Sequence, residues 1–476
     1  MVALLESDEP EESDEPEESD EPEEPETMIE ADLVVRNTAE VASMLSPAEA
    51  AATAATAAAG EVAGVGPARG AALAELGTIA AGAVAMRGEH IVWVGPASAV
   101  DDTIRLSPGG RTLDAGGGVV LPGFVDPHTH LVHAGSRAGE FDLRVQGVDY
   151  LEIARRGGGI LSSVRSFRDT PDAELGSRAC RALDRMLLLG TTTVESKSGY
   201  GLTVHDELRA LTVMATVDAG HPVDLVPTFL GAHAVPPEFA GRADDYVALV
   251  VDTMLPAVAR QGVATACDVF CEPGFFDLAQ SRRVLEAARD HGLRLRVHAD
   301  EFEELGGAVL AAELGALSAD HLMAMGDAAA HRLLDAPTLP VLLPGTSFFL
   351  GMRRFARGRW LADLGLPVAL ATDLNPGSSM IASMPLVTTL ACLGLGLRPA
   401  EALVAATRNA ACAAGTGAGA AVADRGWLGA GALADLQIVD LPSAIDLPYQ
   451  VGPSYVTHVV KRGRLVVDDG RLCDAA

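Results

Sequence analysis

Positive charge is scarce in this chain. Its 476 residues hold 35 Lys and Arg against 65 Asp and Glu, a formal charge of −30, and lysine occurs only as Lys197 and Lys461. Such a balance repels phosphate backbones and anionic lipid, which argues against nucleic acid and membrane surfaces as partners. Also missing are an apolar run of membrane-spanning length and, at the start, a basic segment leading into an apolar core and a cleavage site. The six cysteines, Cys180, Cys267, Cys271, Cys392, Cys412 and Cys473, form no disulfide-like framework. That pattern suits a reducing compartment and a cytoplasmic protein. Cys267 and Cys271 are the one close pair, too far apart along a strand to share an ion comfortably, and read as buried thiols.

The acids are unevenly spread. Residues 1–27 repeat Ser-Asp-Glu-Pro-Glu-Glu three times and carry 14 acids and no base; taken from −30, they leave −16 for the rest. Low complexity, proline and self-repulsion predict a disordered tail over 1–27. The whole chain is 49% hydrophobic, enough for one large core and a smaller domain.

Two β-rich ends flank a different middle. Ala31–Asn37 and Ala80–Gly95, the latter turning at Gly88-Glu89, alternate apolar and polar residues, as do Ala434–Asp440, Tyr455–Lys461 and Arg464–Val467. They predict one small β-sandwich built from both termini, residues 28–121 and 416–476. An alanine-rich stretch at about 38–78 reads as a loop insertion of weak helical tendency. Between 122 and 415, helical patterns occur at Asp172–Leu189, Asp245–Gln261, Leu278–His291 and Arg398–Ala411. Strands are predicted at Val119–Asp126, Thr191–Ser196, Val223–Phe229, Cys267–Glu272, Arg294–Asp300, Leu317–His321, Leu339–Gly345 and Pro367–Asp373. Eight β-then-α units over about 300 residues predict an α/β chain with a (β/α)8 TIM-like barrel; a doubly wound sheet is the lesser alternative.

Function in such barrels sits at the carboxyl ends of the strands. Those ends hold His128 and His130, Glu195 then Tyr200, His233, Glu272, His298 and Glu301, His321, Thr346, and Asp373 with Asn375. Alternation along a strand turns His128 and His130 the same way, with Thr129 opposite. Alone, such a pair is as readily two exposed loop histidines. A hydrolytic metal site needs three or four protein ligands and an open position for water. His128, His130, His298 and Asp373 supply them, and Asp373 can also accept the water's proton. His321, one strand after His298, is placed to hydrogen-bond a substrate carbonyl without ligating.

Pro122-Gly-Phe-Val-Asp-Pro-His-Thr-His130, His298, His321 and Ala371-Thr-Asp373 together resemble the amidohydrolase superfamily. Finer motifs resemble its imidazolonepropionase family: His130-Leu-Val-His-Ala-Gly-Ser-Arg137, Gly157-Gly-Gly-Ile160, Glu195-Ser-Lys-Ser-Gly-Tyr-Gly-Leu202, Thr228-Phe-Leu-Gly-Ala-His233, His298-Ala-Asp-Glu301 and Ala371-Thr-Asp-Leu-Asn-Pro-Gly-Ser378. The resemblance covers about 119–415 and implies one Zn2+ or Fe3+ per subunit on His128, His130, His298 and Asp373. It also implies substrate contacts from Arg137, Tyr150, Tyr200, His233, Glu301, Asn375, Gly377 and Ser378, a homodimer, and hydrolysis of the cyclic amide C–N bond of imidazolone propionate to N-formimidoylglutamate in histidine degradation. Arg137 offers a charged fork for the propionate carboxylate. Glu301 is placed to hold a ring N–H and to shuttle protons, beside Asp373 and His321 as the catalytic set.

Two-metal relatives often bridge their ions with a carbamylated lysine at the end of the fourth strand. Here that end reads Val269-Phe-Cys-Glu272, so one catalytic metal is expected. The nearest alternative is another amidohydrolase, such as a purine or pyrimidine aminohydrolase, whose neutral base gives Arg137 and Tyr200 no carboxylate to clamp. A barrel holding a metal only for stability, or an acidic-tailed binding protein, would not need Asp373, Glu301 and His321 together.

Overall fold

The computed structural model describes residues 28–61, 64–148, 152, 158–417 and 422–473. The predicted tail over 1–27 therefore lies outside the described residues. The N-terminal strands are β1 (Ile29–Arg36), β2 (Glu40–Ala42), β3 (Thr78–Ala80), β4 (Gly82–Arg87), β5 (His90–Pro96), β6 (Ile104–Asp114) and β7 (Val119–Pro122). The turn expected at Gly88-Glu89 joins β4 to β5 in an antiparallel pair.

The alanine-rich insertion is more ordered than its composition implies. Pro47–Ala58 is a helix whose N-cap Ser46 forms a reciprocal capping box with Glu49, satisfying two otherwise orphaned amides. Glu49 thus helps to start the helix. Its carboxylate also pairs with the buried Arg408, 2.6 Å away, and Arg408 donates further to the carbonyls of Met44 and Gly66. Tertiary anchoring adds to alanine's high intrinsic propensity, and together they override the loop expectation.

Gly123 divides what the sequence presents as one strand, Val119–Asp126. A Cβ at Gly123 would lie 2.3 Å from Thr192 Oγ1, so only glycine lets the chain cross there from the sandwich to the barrel. The barrel strands follow as β8 (Phe124–Thr129), β9 (Thr191–Lys197), β10 (Asp224–Ala232), β11 (Ala266–Cys271), β12 (Arg294–Ala299), β13 (Ser318–His321), β14 (Leu339–Leu342) and β15 (Ala369–Leu370). They are parallel and pair in sequence order. β14 is shorter than expected, because Pro344–Phe349 turns helical straight after it, and β15 is confined to Ala369–Leu370. The helix expected at Asp245–Gln261 is two, Ala243–Leu249 and Leu255–Gln261, joined by a π turn. Arg398–Ala411 likewise breaks at Thr407.

Closure comes from segments far apart in sequence. Thr129 bridges Leu374 in parallel, Asp373 N–H donates to the His128 carbonyl at 3.1 Å, and His130 N–H donates to the Leu374 carbonyl at 2.9 Å. One layer down, both oxygens of buried Asp126 accept from Thr372.

The chain ends in β16 (Leu436–Val439), β17 (Val456–Lys461), β18 (Arg464–Asp468) and β19 (Arg471–Leu472). β16 pairs antiparallel with β7, so one sheet, ordered β19-β18-β17-β16-β7-β2-β3, draws on both termini. The second, β5-β4-β1-β6, is wholly N-terminal. Among the described residues no helix is long and apolar enough to cross a membrane.

Asp224, at the start of β10, ties the barrel to this sandwich. Its Oδ2 meets Lys461 Nζ at 2.9 Å, Arg462 Nη2 at 3.0 Å and the Arg425 guanidinium. Burial alone would raise its pKa, but Lys461, Arg425 and Arg462 outweigh burial and hold it at about 2. The folded value lies below the unfolded one, so this contribution, roughly 2 kcal/mol, is complete above about pH 4 and is lost as pH falls towards 2. Asp224→Asn is expected to cost about 3 kcal/mol at neutral pH, since it leaves three cations without their shared carboxylate. Denaturant unfolding at pH 7 and pH 3 checks this: the gap between variant and parent should narrow at the lower pH.

Candidate metal centre and active site

Because β8 and the end of β15 close the barrel, Asp373 is brought beside His128 and His130. Asp373 Oδ1 lies 3.6 Å from Nε2 of both histidines. Its other oxygen accepts from Thr346 Oγ1 at 2.7 Å and from Ser378 Oγ at 3.3 Å. His298, from β12, brings its Nε2 to 3.4 Å from Nε2 of His130. The ligating atoms of His128, His130 and His298 all lie within 4.8 Å of one another, as do those of His128, His321 and Asp373. His321 thus stands beside His128 and Asp373. His321 and Asp373 hold positive φ, +77° and +56°, a conformation that costs non-glycine residues about 1–3 kcal/mol and clusters at functional sites.

These atoms fit a cation. His128 Nε2 is buried without a hydrogen-bond partner, and Nε2 of His130 faces Nε2 of His298. The far nitrogens are differently placed: His128 Nδ1 is 2.6 Å from Asp320 Oδ2, and His298 Nδ1 is 3.0 Å from Asp268 Oδ2. A carboxylate at Nδ1 holds the proton there and leaves the Nε2 lone pair for a metal. Burial drives His128, His130 and His321 well below the ordinary histidine range, so their rings are neutral, as ligands must be.

Beneath these side chains lies a buried charged layer, of which only Glu195 and Lys197 stand out in the sequence. It comprises Glu195, Lys197, Asp268, Arg296 and Asp320. The available signal was a charge inside apolar strand runs, Asp268 in Cys267–Cys271 and Asp320 directly before His321.

At the mouth, Glu272 accepts from the backbone amides of Glu301, Phe302 and Glu303 at 2.8–3.2 Å. It thereby presents Glu301, whose Oε1 is 3.7 Å from His321 Nδ1. Burial, with Asp373 and Glu272 adding to it, raises the Glu301 carboxyl well above the usual carboxylate range. Burial likewise lifts Asp373, to about 6. His233 stacks on His130 with ring centroids 5.0 Å apart, and its Nδ1 donates to the Gly199 carbonyl. Burial lowers it to about 3, so it is a neutral wall of the site. Tyr200 is buried 5.5 Å from the His233 ring, and burial keeps its hydroxyl protonated. Glu207 shapes the Tyr200 loop by accepting from the amides of Gly199, Gly201 and Leu202.

Arg137 is not an unengaged fork. Its Nε and Nη2 both donate to Glu140 Oε2, at 2.9 and 2.7 Å. Nη1 lies over Gly377, where a Cβ would approach to 2.2 Å, which explains glycine there. The Asn375 amide is spent within its own loop, on Ser378, Gly377 and the Asp373 carbonyl. Asn375 and Ser378 thus build the turn that carries Asp373. Tyr150 lies outside the described residues. A cavity of about 450 Å3 opens beside Arg137, lined also by His133, Phe141, Arg181 and Arg185. A larger one, about 800 Å3, lies at the opposite barrel end around Asp224 and Arg294 and holds none of the ligand atoms. The walls of the smaller cavity do not include them either; it adjoins them through Leu131 and Leu374, next in sequence to His130 and Asp373.

Residues 150–467 match the amidohydrolase family. Imidazolonepropionase of Symbiobacterium thermophilum is 50% identical over 407 residues, covering 85% of this chain and 95% of the relative. That of Geobacillus kaustophilus is 47% identical, covering 84% and 93%. Among solved structures, an adenosine deaminase from Xanthomonas campestris with bound zinc aligns with a TM-score of 0.64 at 20% identity, over 94% of this chain and 96% of that one. An atrazine chlorohydrolase from Arthrobacter aurescens, complexed with zinc and atraton, gives 0.64 at 16% identity, over 93% and 97%. These two share the barrel fold. With half of its residues identical over nearly the full length of such a relative, the chain belongs to the imidazolonepropionases of the amidohydrolase family.

Proposed function

We propose that this chain hydrolyses the cyclic amide C–N bond of 4-imidazolone-5-propanoate to N-formimidoyl-L-glutamate, a step of histidine degradation. The observation that carries it is the meeting of His128 with His130 and His298, and with His321 and Asp373, at one buried point, in a chain so similar to imidazolonepropionases. A cation held by His128, His130, His298 and Asp373, zinc or iron, acidifies water and polarises a carbonyl when bound.

The protein's own groups do the rest. The attacking water gives its proton to the Asp373 carboxylate, which Thr346 and Ser378 hold in place. His321 donates to the carbonyl oxygen as negative charge develops there. As the new C–O bond forms and the ring C–N bond breaks, Glu301 delivers a proton to the departing nitrogen and is recharged from Asp373. Arg137, held by Glu140, faces the propionate carboxylate with Nη1, and Tyr200 and His233 wall the ring. A purine or pyrimidine aminohydrolase is disfavoured, because a neutral base has no carboxylate for Arg137. The thiols of Cys180, Cys267, Cys271, Cys392 and Cys412 support a cytoplasmic setting, and the family resemblance supports a homodimer.

The test presents imidazolone propionate to metal-loaded and chelator-stripped protein while the ring chromophore is followed. Loss of the chromophore only with loaded protein, restored by adding zinc or iron back, is expected. Equal rates from both preparations would remove the metallohydrolase assignment.

A further inference from the structure

Lys197 is one of two lysines in the chain and is wholly buried at the end of β9. Its Nζ lies 2.9 Å from Asp268 Oδ2, 3.0 Å from Glu195 Oε1 and 3.7 Å from Asp320 Oδ2. The same two aspartate oxygens face Nδ1 of His298, at 3.0 Å, and Nδ1 of His128, at 2.6 Å. One ammonium thus underlies two ligands that come from different strands, β12 and β8. Burying an ammonium is expensive, and an apolar side chain of similar volume would fill the same space at lower cost. The second cation of the layer does not duplicate it: Arg296 approaches Glu195 at 3.6 Å and spends its two terminal nitrogens on the carbonyls of Ala413 and Ala414.

We propose that Lys197 is a positioning residue for the metal centre, holding Asp268 and Asp320 so that His128 and His298 both aim Nε2 at one cation. This rests on the assignment of His128, His130, His298 and Asp373 as the ligands. Without the ammonium, the carboxylates lose the charge that draws them to a common point, and the rings lose the acceptors that fix their tautomer and tilt. Disturbing such outer partners weakens metal binding roughly 10- to 100-fold.

The experiment uses the full chain stripped of metal, as the parent, Lys197→Met, Lys197→Arg, Asp320→Asn and the Lys197→Met/Asp320→Asn double variant. Co2+ affinity is read by competition with a chromophoric chelator, the ligand field by the visible Co2+ spectrum, and folding by circular dichroism of the apo forms. Expected is a folded Lys197→Met that binds Co2+ roughly 10- to 100-fold more weakly, with a shifted visible band and partial recovery in Lys197→Arg. The double variant should be little worse than Lys197→Met alone, because the lysine acts through the aspartate. Parent-like affinity and spectrum in Lys197→Met would overturn the proposal, as would strictly additive losses in the double variant. Should Lys197→Met not fold, Asp320→Asn and Lys197→Arg decide: parent-like cobalt spectra in both overturn it. A His128→Ala control that binds Co2+ as the parent does would instead remove the ligand assignment beneath it.

Discussion

Asp373→Asn should lower kcat by about 10^4-fold or more, because the amide keeps the shape of the side chain but cannot take a proton from water. The geometry makes this the most sensitive position in the chain. Among the described residues Asp373 is the one carboxylate within 3.6 Å of both histidines of the His-Thr-His pair, and a bond from Thr346 fixes its second oxygen. Metal content measured on the same sample separates its two duties. A variant that keeps its metal and loses turnover has lost the base; one that loses both has lost the ligand as well. Turnover within tenfold of the parent would mean that some other group activates the water.

Glu301→Gln is expected to reduce kcat by roughly 10^2- to 10^4-fold while KM moves little, since the amide still hydrogen-bonds a ring N–H but carries no transferable proton. Burial, Asp373 and Glu272 raise the Glu301 carboxyl, the direction that keeps a proton on it near neutrality. Steady-state kinetics across a range of substrate concentrations provide the check. A rise in KM at constant kcat would reassign Glu301 to binding alone.

Much of the site was legible because it depends on local periodicity. His128 and His130 share a face by the two-residue repeat of a strand, and His298 and His321 end successive strands of the barrel. The buried layer beneath them was not legible. Asp268 and Asp320 become partners of His298 and His128 only when β11, β12 and β13 align in register and β8 joins the ring. Arg137 was seen as a charge, yet its pairing with Glu140 needs the turn of a short helix, Ala138–Val145. Gly123 was read as part of a strand, since steric conflict with Thr192 exists only once β9 lies alongside.

The sequence by itself determined the chemical inventory: imidazoles at strand ends, a late carboxylate and a barrel to carry them, because residue type and short-range period need no long-range contact. Only the tertiary structure decided which of these groups meet. Barrel closure between His128 and Asp373, and the burial that strips water from both, arise from contacts between distant segments. Those contacts convert separate side chains into one ion-sized site with shifted proton affinities.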